Sequence, residues 1–347
     1  MDNGKHVAAF EEAFADYVGA RYAIAMANGT ATLHTALAAC GVKRGEPVAV
    51  PPLTMSATTI AVLHAGGVPT FVDIDPDTWL MDTTGGGSVG VPVSLYGLHY
   101  TVFDGDWDNI VDDAAQTLRP HDECADFTSY SFQASKILAL GEGGMLVTND
   151  EHLAREAREF SSLGYHMDPD QPRIDPAILK HPTYERHHSL GWNYRMSDWV
   201  ARAGIHALHA DDLVGDRRRA ASYYREAIDA CDWITPQHIP EGWTHDYWCY
   251  AIALEFPEMW DSFTAAVVKH GGEMPYGAWA LTYFEPAFRH LGEHGQRPQG
   301  WFDPPGSGMC PVAEDLQPRL VQFQTNNLTS AQRNADAVAA AIKELNG

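Results

Sequence analysis

Tyr130-Ser131-Phe132-Gln133-Ala134-Ser135-Lys136 carries a strand-like run into a lysine, and Gly141-Glu142-Gly143-Gly144 follows as a glycine-rich turn. Of the six lysines, Lys5, Lys43, Lys136, Lys180, Lys269 and Lys343, only Lys136 stands between such a run and such a turn. Lysine gives up its proton readily when buried, and the free amine can attack an aldehyde to form a Schiff base. By itself the segment also reads as a surface lysine after a strand, and that is its default reading. What displaces the default lies upstream.

Before this stretch, helix-like and strand-like segments alternate. Residues 10–18 have helical apolar spacing and end at Gly19; a second helix opens after Asn28-Gly29-Thr30 and runs to about Cys40. A strand ending in Val48-Ala49-Val50, a helix over 56–64, and strands at 70–73, 109–112 and 127–132 follow. This alternation predicts an α/β fold with a mostly parallel sheet flanked by helices, whose chemistry sits at the carboxyl ends of the strands. After a helix over 151–162, residues 164–189 read as a long loop, and 199–228 as helix with a break near Gly215. Beyond it come a strand at 247–254, a helix at 259–270, an irregular proline-rich stretch and a final helix at 330–345. The expected division is a large domain over 1–212 and a small C-terminal α+β domain over 213–347.

Composition narrows the classes. The 347 residues, 45% hydrophobic and 11% aromatic, suffice for a large core and two domains. No run has the apolar length of a membrane span, and Met1-Asp2-Asn3-Gly4-Lys5-His6 lacks the layout of a signal peptide, so a cytoplasmic location is expected. The five cysteines are odd in number and contain no C-x-x-C pair, which points to reduced thiols. A net charge of −23 spread along the chain reads as a solvated acidic surface, and nucleic acid is not an expected partner. The 17 histidines lack metal-ligand spacing, so no metal site is expected.

Asp112-Asp113-Ala114-Ala115-Gln116 directly follows the strand at 109–111. A carboxylate at the end of a parallel strand, followed by small residues, can lie beneath a flat ligand and hold a positive ring nitrogen. Pyridoxal phosphate needs this counter-ion, because its protonated pyridine is the electron sink. An acidic turn with packing alanines is the plainer alternative. Asn28-Gly29-Thr30 offers free N–H groups, a glycine for close approach and a hydroxyl, together a phosphate seat, although the same residues read equally as an N-cap. The Ser131 hydroxyl at a strand end could also reach a phosphate. The order Gly29/Thr30, Asp113, Ser131/Lys136 is that of aspartate-aminotransferase-type enzymes, and jointly the pieces outweigh their separate plain readings.

The chain resembles the DegT/StrS family of pyridoxal-phosphate-dependent sugar aminotransferases. The resemblance rests on residues 10–15, Asn28 to Leu33, Pro52 to Thr58, Asp112 to Gln116, Ser131 to Lys136 with Gly141 to Gly144, and Gly191-Trp192-Asn193-Tyr194-Arg195. It implies the fold type I architecture, Lys136 as the Schiff-base and proton-shuttling residue, Asp113 at the pyridine nitrogen and Gln116 by the phenolic oxygen. Gly29, Thr30 and Ser131 would hold the phosphate. Asn193 would reach the phosphate of a neighbouring subunit in a homodimer with shared active sites, or it is a turn residue before the helix at Ser197. Met55 stands where the family usually stacks an aromatic ring, and a thioether can replace that contact. Tyr96, His166, Tyr276 and Trp279 fall in loops that the resemblance brings near the pocket.

The implied activity moves an amino group from an amino acid, glutamate or glutamine, to a keto-sugar, nucleotide-linked in the expected case. Two alternatives stand beside it. A sugar dehydratase of the same family would carry histidine in place of Lys136, and a catalytically inactive pyridoxal-phosphate-binding protein would serve regulation or assembly.

Overall fold

Helix α1 (Lys5–Val18) buries Val7, Phe10, Phe14 and Val18 along one stripe, the 3.6-residue period of an amphipathic helix. It ends where Gly19 takes a left-handed φ of 70° and returns its N–H to the Ala15 carbonyl. The computed structural model describes residues 4–100, 103–165, 177, 180–183, 185–210, 212–289 and 308–346. The chain continues through β1 (Tyr22–Met26), α2 (Gly29–Ala39), β2 (Pro47–Val50), α3 (Ala57–His64), β3 (Val68–Phe71) and β4 (Gly86–Gly90). Then come β5 (Asp106–Asp113), β6 (Phe127–Ser131), β7 (Gly144–Thr148) and α4 (Glu151–Ser161).

These strands form one seven-stranded sheet in the order β1-β7-β6-β5-β4-β2-β3. Every pairing from β6 across to β3 is parallel, whereas β7 runs antiparallel to both of its neighbours. The mostly parallel α/β architecture expected from the alternation is therefore present. Strands β1 and β7 escaped that reading. Each is a five-residue segment buried along its whole length, so neither has the in-out alternation that marks a half-exposed strand. The ends of β5 and β6, the start of α2 and the start of β7 meet on one edge of the sheet.

Helix α1 fixes that edge from below. The Phe10 and Phe14 rings pack on Phe132 at 5.6 and 5.4 Å, and Phe14 on Tyr130 at 5.1 Å, edge-on or tilted as aromatic quadrupoles prefer. The strand that delivers Lys136 is thus held by a helix more than a hundred residues earlier. Beside these rings Glu11 is buried; it accepts the Ala25 N–H at 2.8 Å and Arg158 Nη1 at 3.1 and 3.2 Å, while Arg158 Nη2 donates to the Ala23 carbonyl at 2.8 Å. One ion pair sews α1, β1 and α4 together.

Helices α5 (Asp198–Ala210) and α6 (Gly215–Ile228) follow, with the break where Gly215 predicted it. A second sheet, order β10-β11-β9-β8, is antiparallel throughout: β8 (Ile234–Pro236), β9 (Cys249–Leu254), β10 (Tyr276–Gly277) and β11 (Leu320–Gln324). Helices α7 (Met259–Lys269) and α8 (Leu328–Leu345) complete this part, and α8 packs on both α6 and α7. Strand β9 is buried on both faces. Ile252 and Leu254 join the core with Tyr224, Phe263 and Val338, whereas Cys249, Ala251 and Ala253 pack on Trp79, Tyr96 and Tyr283. Most of the loop expected over 164–189 lies outside the described residues. No described helix is long and apolar enough to cross a membrane.

Burial pushes the Glu11 carboxyl pKa up, and Arg158 opposes the shift without cancelling it. Removing Arg158 leaves a buried acid without its cation. Arg158→Leu should destabilise the protein by about 3–5 kcal/mol near neutral pH. The loss should shrink at low pH, where Glu11 can take a proton; urea unfolding at pH 5 and pH 8 measures both.

Candidate active site

Strand β5 ends in two adjacent carboxylates, and the pleat sends them to opposite faces of the sheet. Both are buried. Asp112 accepts Arg119 Nη2 at 2.5 Å and Ser94 Oγ at 3.2 Å, so a buried guanidinium balances it. Asp113 faces the other way, where its Oδ2 accepts the Thr58 hydroxyl at 2.8 Å and its Oδ1 accepts the Ala115 N–H at 3.2 Å. Burial raises the Asp113 pKa, with Thr58, Ala115 and the charge of Lys136 opposing it.

Lys136 reaches the same cavity from the loop between β6 and β7. Lys136 N–H to Gln133, Ala134 N–H to Gly141 and Leu140 N–H to Phe132 brace this loop at 2.8 to 3.0 Å. Burial lowers the ammonium pKa, partly offset by the Asp113 carboxylate and then by Cys249. Nζ lies 5.0 Å from the centre of the Trp248 ring, whose Nε1 donates to the Ser135 carbonyl at 2.7 Å. A residue just before β9 in the second sheet therefore steadies the backbone next to Lys136.

The third wall is the start of α2. Asn28 caps it by accepting the Ala31 N–H at 2.9 Å, and the Gly29 and Thr30 N–H groups are ones that a helix start leaves without an intrahelical acceptor. Space here is set by glycine. A Cβ on Gly29 would stand 2.9 Å from the Ser131 Cβ, and one on Gly144 would stand 2.7 Å from the Asn28 carbonyl group. The helix start can approach β6 and β7 only because both positions lack side chains.

Gly29, Thr30, Met55, Asp113, Gln116, Ser131 and Lys136 all line one cavity, with Thr54, His64, Tyr194, Trp248 and Trp279. Met55 is about half exposed at its lip, and Gln116 is buried with its Oε1 accepting the Tyr96 N–H. Asn193 does not line the cavity of its own chain. It is exposed, bridged antiparallel to Ser162, between half-exposed Trp192 and cavity-lining Tyr194.

Trp279 is in the pocket as expected, but Tyr96 is not. A φ of 60° turns its backbone, and its ring is buried in the core against Trp79, with ring centres 6.4 Å apart. Tyr276 is exposed outside the cavity lining, and His166 lies outside the described residues.

A profile of the DegT/DnrJ/EryC1/StrS aminotransferase family matches residues 1–85 and 109–343. The chain belongs to this family. GDP-perosamine synthase of Caulobacter vibrioides is 32% identical over 72% of this chain and 70% of its own length. A putative pyridoxal phosphate-dependent aminotransferase, EpsN of Bacillus subtilis, is also 32% identical, over 67% of this chain and 63% of its own. Among solved structures, a DegT DnrJ EryC1 StrS aminotransferase from Brucella abortus superposes with a TM-score of 0.78 at 25% identity, covering 99% of this chain and 91% of that one.

Sequence reasoning on this family member missed Thr58, Trp248 and the pair His34 and Tyr194. His34 Nδ1 lies 2.9 Å from the Tyr194 hydroxyl; burial first, then His64, lowers the His34 pKa to about 4, so its ring is neutral at pH 7. Thr58 stood in a stretch already singled out, and a hydroxyl in the first turn of α3 was its signal. For Trp248 the strand-like run 247–254 hid that the strand starts only at Cys249 and leaves Trp248 outside it.

Two outcomes follow from this geometry. The folded-state pKa of Asp113 lies above its unfolded value, so the native state holds this proton more tightly and loses stability as pH rises through the folded pKa. Asp113→Asn should raise the melting temperature of the cofactor-free protein and flatten its fall as pH rises above the ordinary aspartate range, as calorimetry would record. Gly29→Ala should destabilise by about 1–3 kcal/mol through overpacking. The same change in a Ser131→Gly background should cost less, which a double-mutant cycle in urea tests.

Proposed function

We propose that this chain transfers an amino group from glutamate or glutamine to a nucleotide-linked keto-sugar with pyridoxal phosphate in the cavity around Lys136. The observation that carries the reading is the convergence of a half-buried lysine, a buried carboxylate and an open helix start in one cavity. The residues fit the cofactor. Asp113 is a buried acid with no guanidinium partner among the described residues, suited to a protonated ring nitrogen. Gly29, Thr30 and Ser131 offer N–H and hydroxyl donors for a phosphate, and Gln116 offers an amide for the phenolic oxygen. When bound, pyridoxal phosphate supplies an aldehyde for amines and a ring that accepts an electron pair.

The chain's own part is positioning and proton transfer. Lys136 Nζ, with its pKa lowered by burial, takes and returns a proton beside the reacting carbon. Asp113 keeps positive charge at the ring end of the cavity, and Thr58 holds the Asp113 carboxylate in place. Trp248 keeps Nζ over the pocket through its bond to Ser135 and its ring face. Met55 supplies a thioether contact at the lip.

We further propose a homodimer in which Asn193 serves the partner's phosphate site. Its exposure outside its own cavity supports this, as do exposed Leu190, Trp192 and Trp199 nearby in the chain, large apolar side chains of the kind a subunit interface covers. The two separate sheets support a large domain over 1–212 and a small one over 213–347. The name of the C. vibrioides relative supports a nucleotide-linked acceptor.

Lys136→Ala should reduce amino transfer by roughly a thousandfold or more while leaving the fold intact. In the wild-type holoenzyme, glutamate or glutamine should change the cofactor absorbance. Wild-type turnover in Lys136→Ala, or a spectrum unmoved by every amino donor, would sink the proposal.

A further inference from the structure

A second cavity, sharing no lining residue with that of Lys136, is lined by Asp77, Arg225, Gln237, His245, Tyr247 and Tyr250 among others. Arg225, on α6, has an uncommon position for this chain. Acidic side chains number 46 against 23 lysines and arginines, yet no described carboxylate lies within ion-pair distance of Arg225. Among the described residues its guanidinium donates to the hydroxyl of Tyr247, at 2.9 Å, and also lies within hydrogen-bonding reach of the Tyr250 hydroxyl. A guanidinium has five N–H donors, so most of them remain available at an exposed edge of the cavity. The Tyr247 oxygen accepts from Arg225, and its own proton has no acceptor among the described residues.

Behind these donors the wall is tied together by hydrogen bonds and ring stacking. Tyr247 N–H donates to His245 Nδ1 at 2.8 Å, which leaves the ring proton on Nε2 to donate to Gln237 Oε1 at 3.1 Å. The Gln237 amide in turn donates to the Thr78 carbonyl at 2.8 Å. Tyr247 stacks on His245 with ring centres 3.9 Å apart, and its backbone is held at a φ of 51°. Left-handed φ in a bulky residue costs free energy and persists only where its surroundings enforce it. Here they place the Tyr247 hydroxyl beside Arg225. Tyr250 stacks next to Tyr247 and lies close to the same cation.

We propose that this cavity is a binding site for a small oxyanion, a carboxylate or phosphate group, held by the Arg225 guanidinium and the Tyr247 hydroxyl. The acidic surface does not forbid it, because screening confines distant charges to roughly 8 Å at physiological salt and the nearest cation dominates. Asp77 on the same cavity disfavours a second negative charge. The site therefore selects a singly charged oxyanion, or one whose other end carries a hydroxyl or ammonium group. It is separate from the cavity of Lys136, although Tyr247 directly precedes Trp248 in the chain.

The test titrates the holoenzyme, whose cofactor already fills the other phosphate seat, with inorganic phosphate and separately with acetate at pH 6.5. Binding is read by calorimetry and by the rise in melting temperature. Saturable binding of at least one anion is expected, weakened roughly tenfold or more in Arg225→Met, which loses charge-assisted hydrogen bonds, and less in Tyr247→Phe, which keeps the stacked ring. Binding of acetate alone would make the ligand a carboxylate, and binding of phosphate alone a phosphate; either supports the site. Absence of saturable binding of both anions, or wild-type affinity in Arg225→Met, would overturn it.

Discussion

Two carboxylates side by side at the end of one strand, both out of water, set the terms for the centre of this molecule. A buried anion is costly unless a cation or several hydrogen bonds compensate it. On one face Asp112 has Arg119, and that guanidinium also donates to the Tyr100 carbonyl at 2.5 Å while the Tyr130 hydroxyl donates to the Arg119 carbonyl at 2.8 Å. The pair closes the loop after β5 and pins it to β6. On the other face Asp113 has two hydrogen bonds and, as its compensating charge among the described residues, the nearby Lys136. One face is complete as built; the other is left for a positive group to complete. That asymmetry separates a structural ion pair from the proposed cofactor seat.

The stability of the frame and the reactivity of the cavity are drawn from different elements. Aromatic packing of α1 under β6 and the buried pair of Glu11 and Arg158 hold the sheet edge from below, away from the cavity. The cavity itself holds two groups whose charged forms burial disfavours, Asp113 and Lys136. Perturbed groups of this kind in a cleft concentrate at functional sites.

Much of this was legible in the sequence because a parallel sheet gathers strand ends at one edge. Once 109–112 and 127–132 read as strands, Asp113, Ser131 and Lys136 had to be neighbours, and the helix opening at Asn28-Gly29-Thr30 had to face them. What could not be read came from side chains whose partners are distant in sequence. Thr58 meets Asp113 across 55 residues and Trp248 meets Ser135 across 113. Local periodicity carries no record of either contact. Tyr96 failed for the opposite reason. It sits in the loop that the resemblance indicated, but a left-handed backbone turn sends its ring into the core. Strands β1 and β7 were missed because complete burial erased their alternation.

The central claim is that Lys136, among six lysines, is the residue that binds pyridoxal phosphate covalently. Reduction of the holoenzyme with borohydride, digestion and mass spectrometry of the peptides locates that bond directly. The account requires the pyridoxyl label on the peptide containing Lys136, at one per chain. A label on any other lysine, or no label on a protein that retains its cofactor, would contradict it.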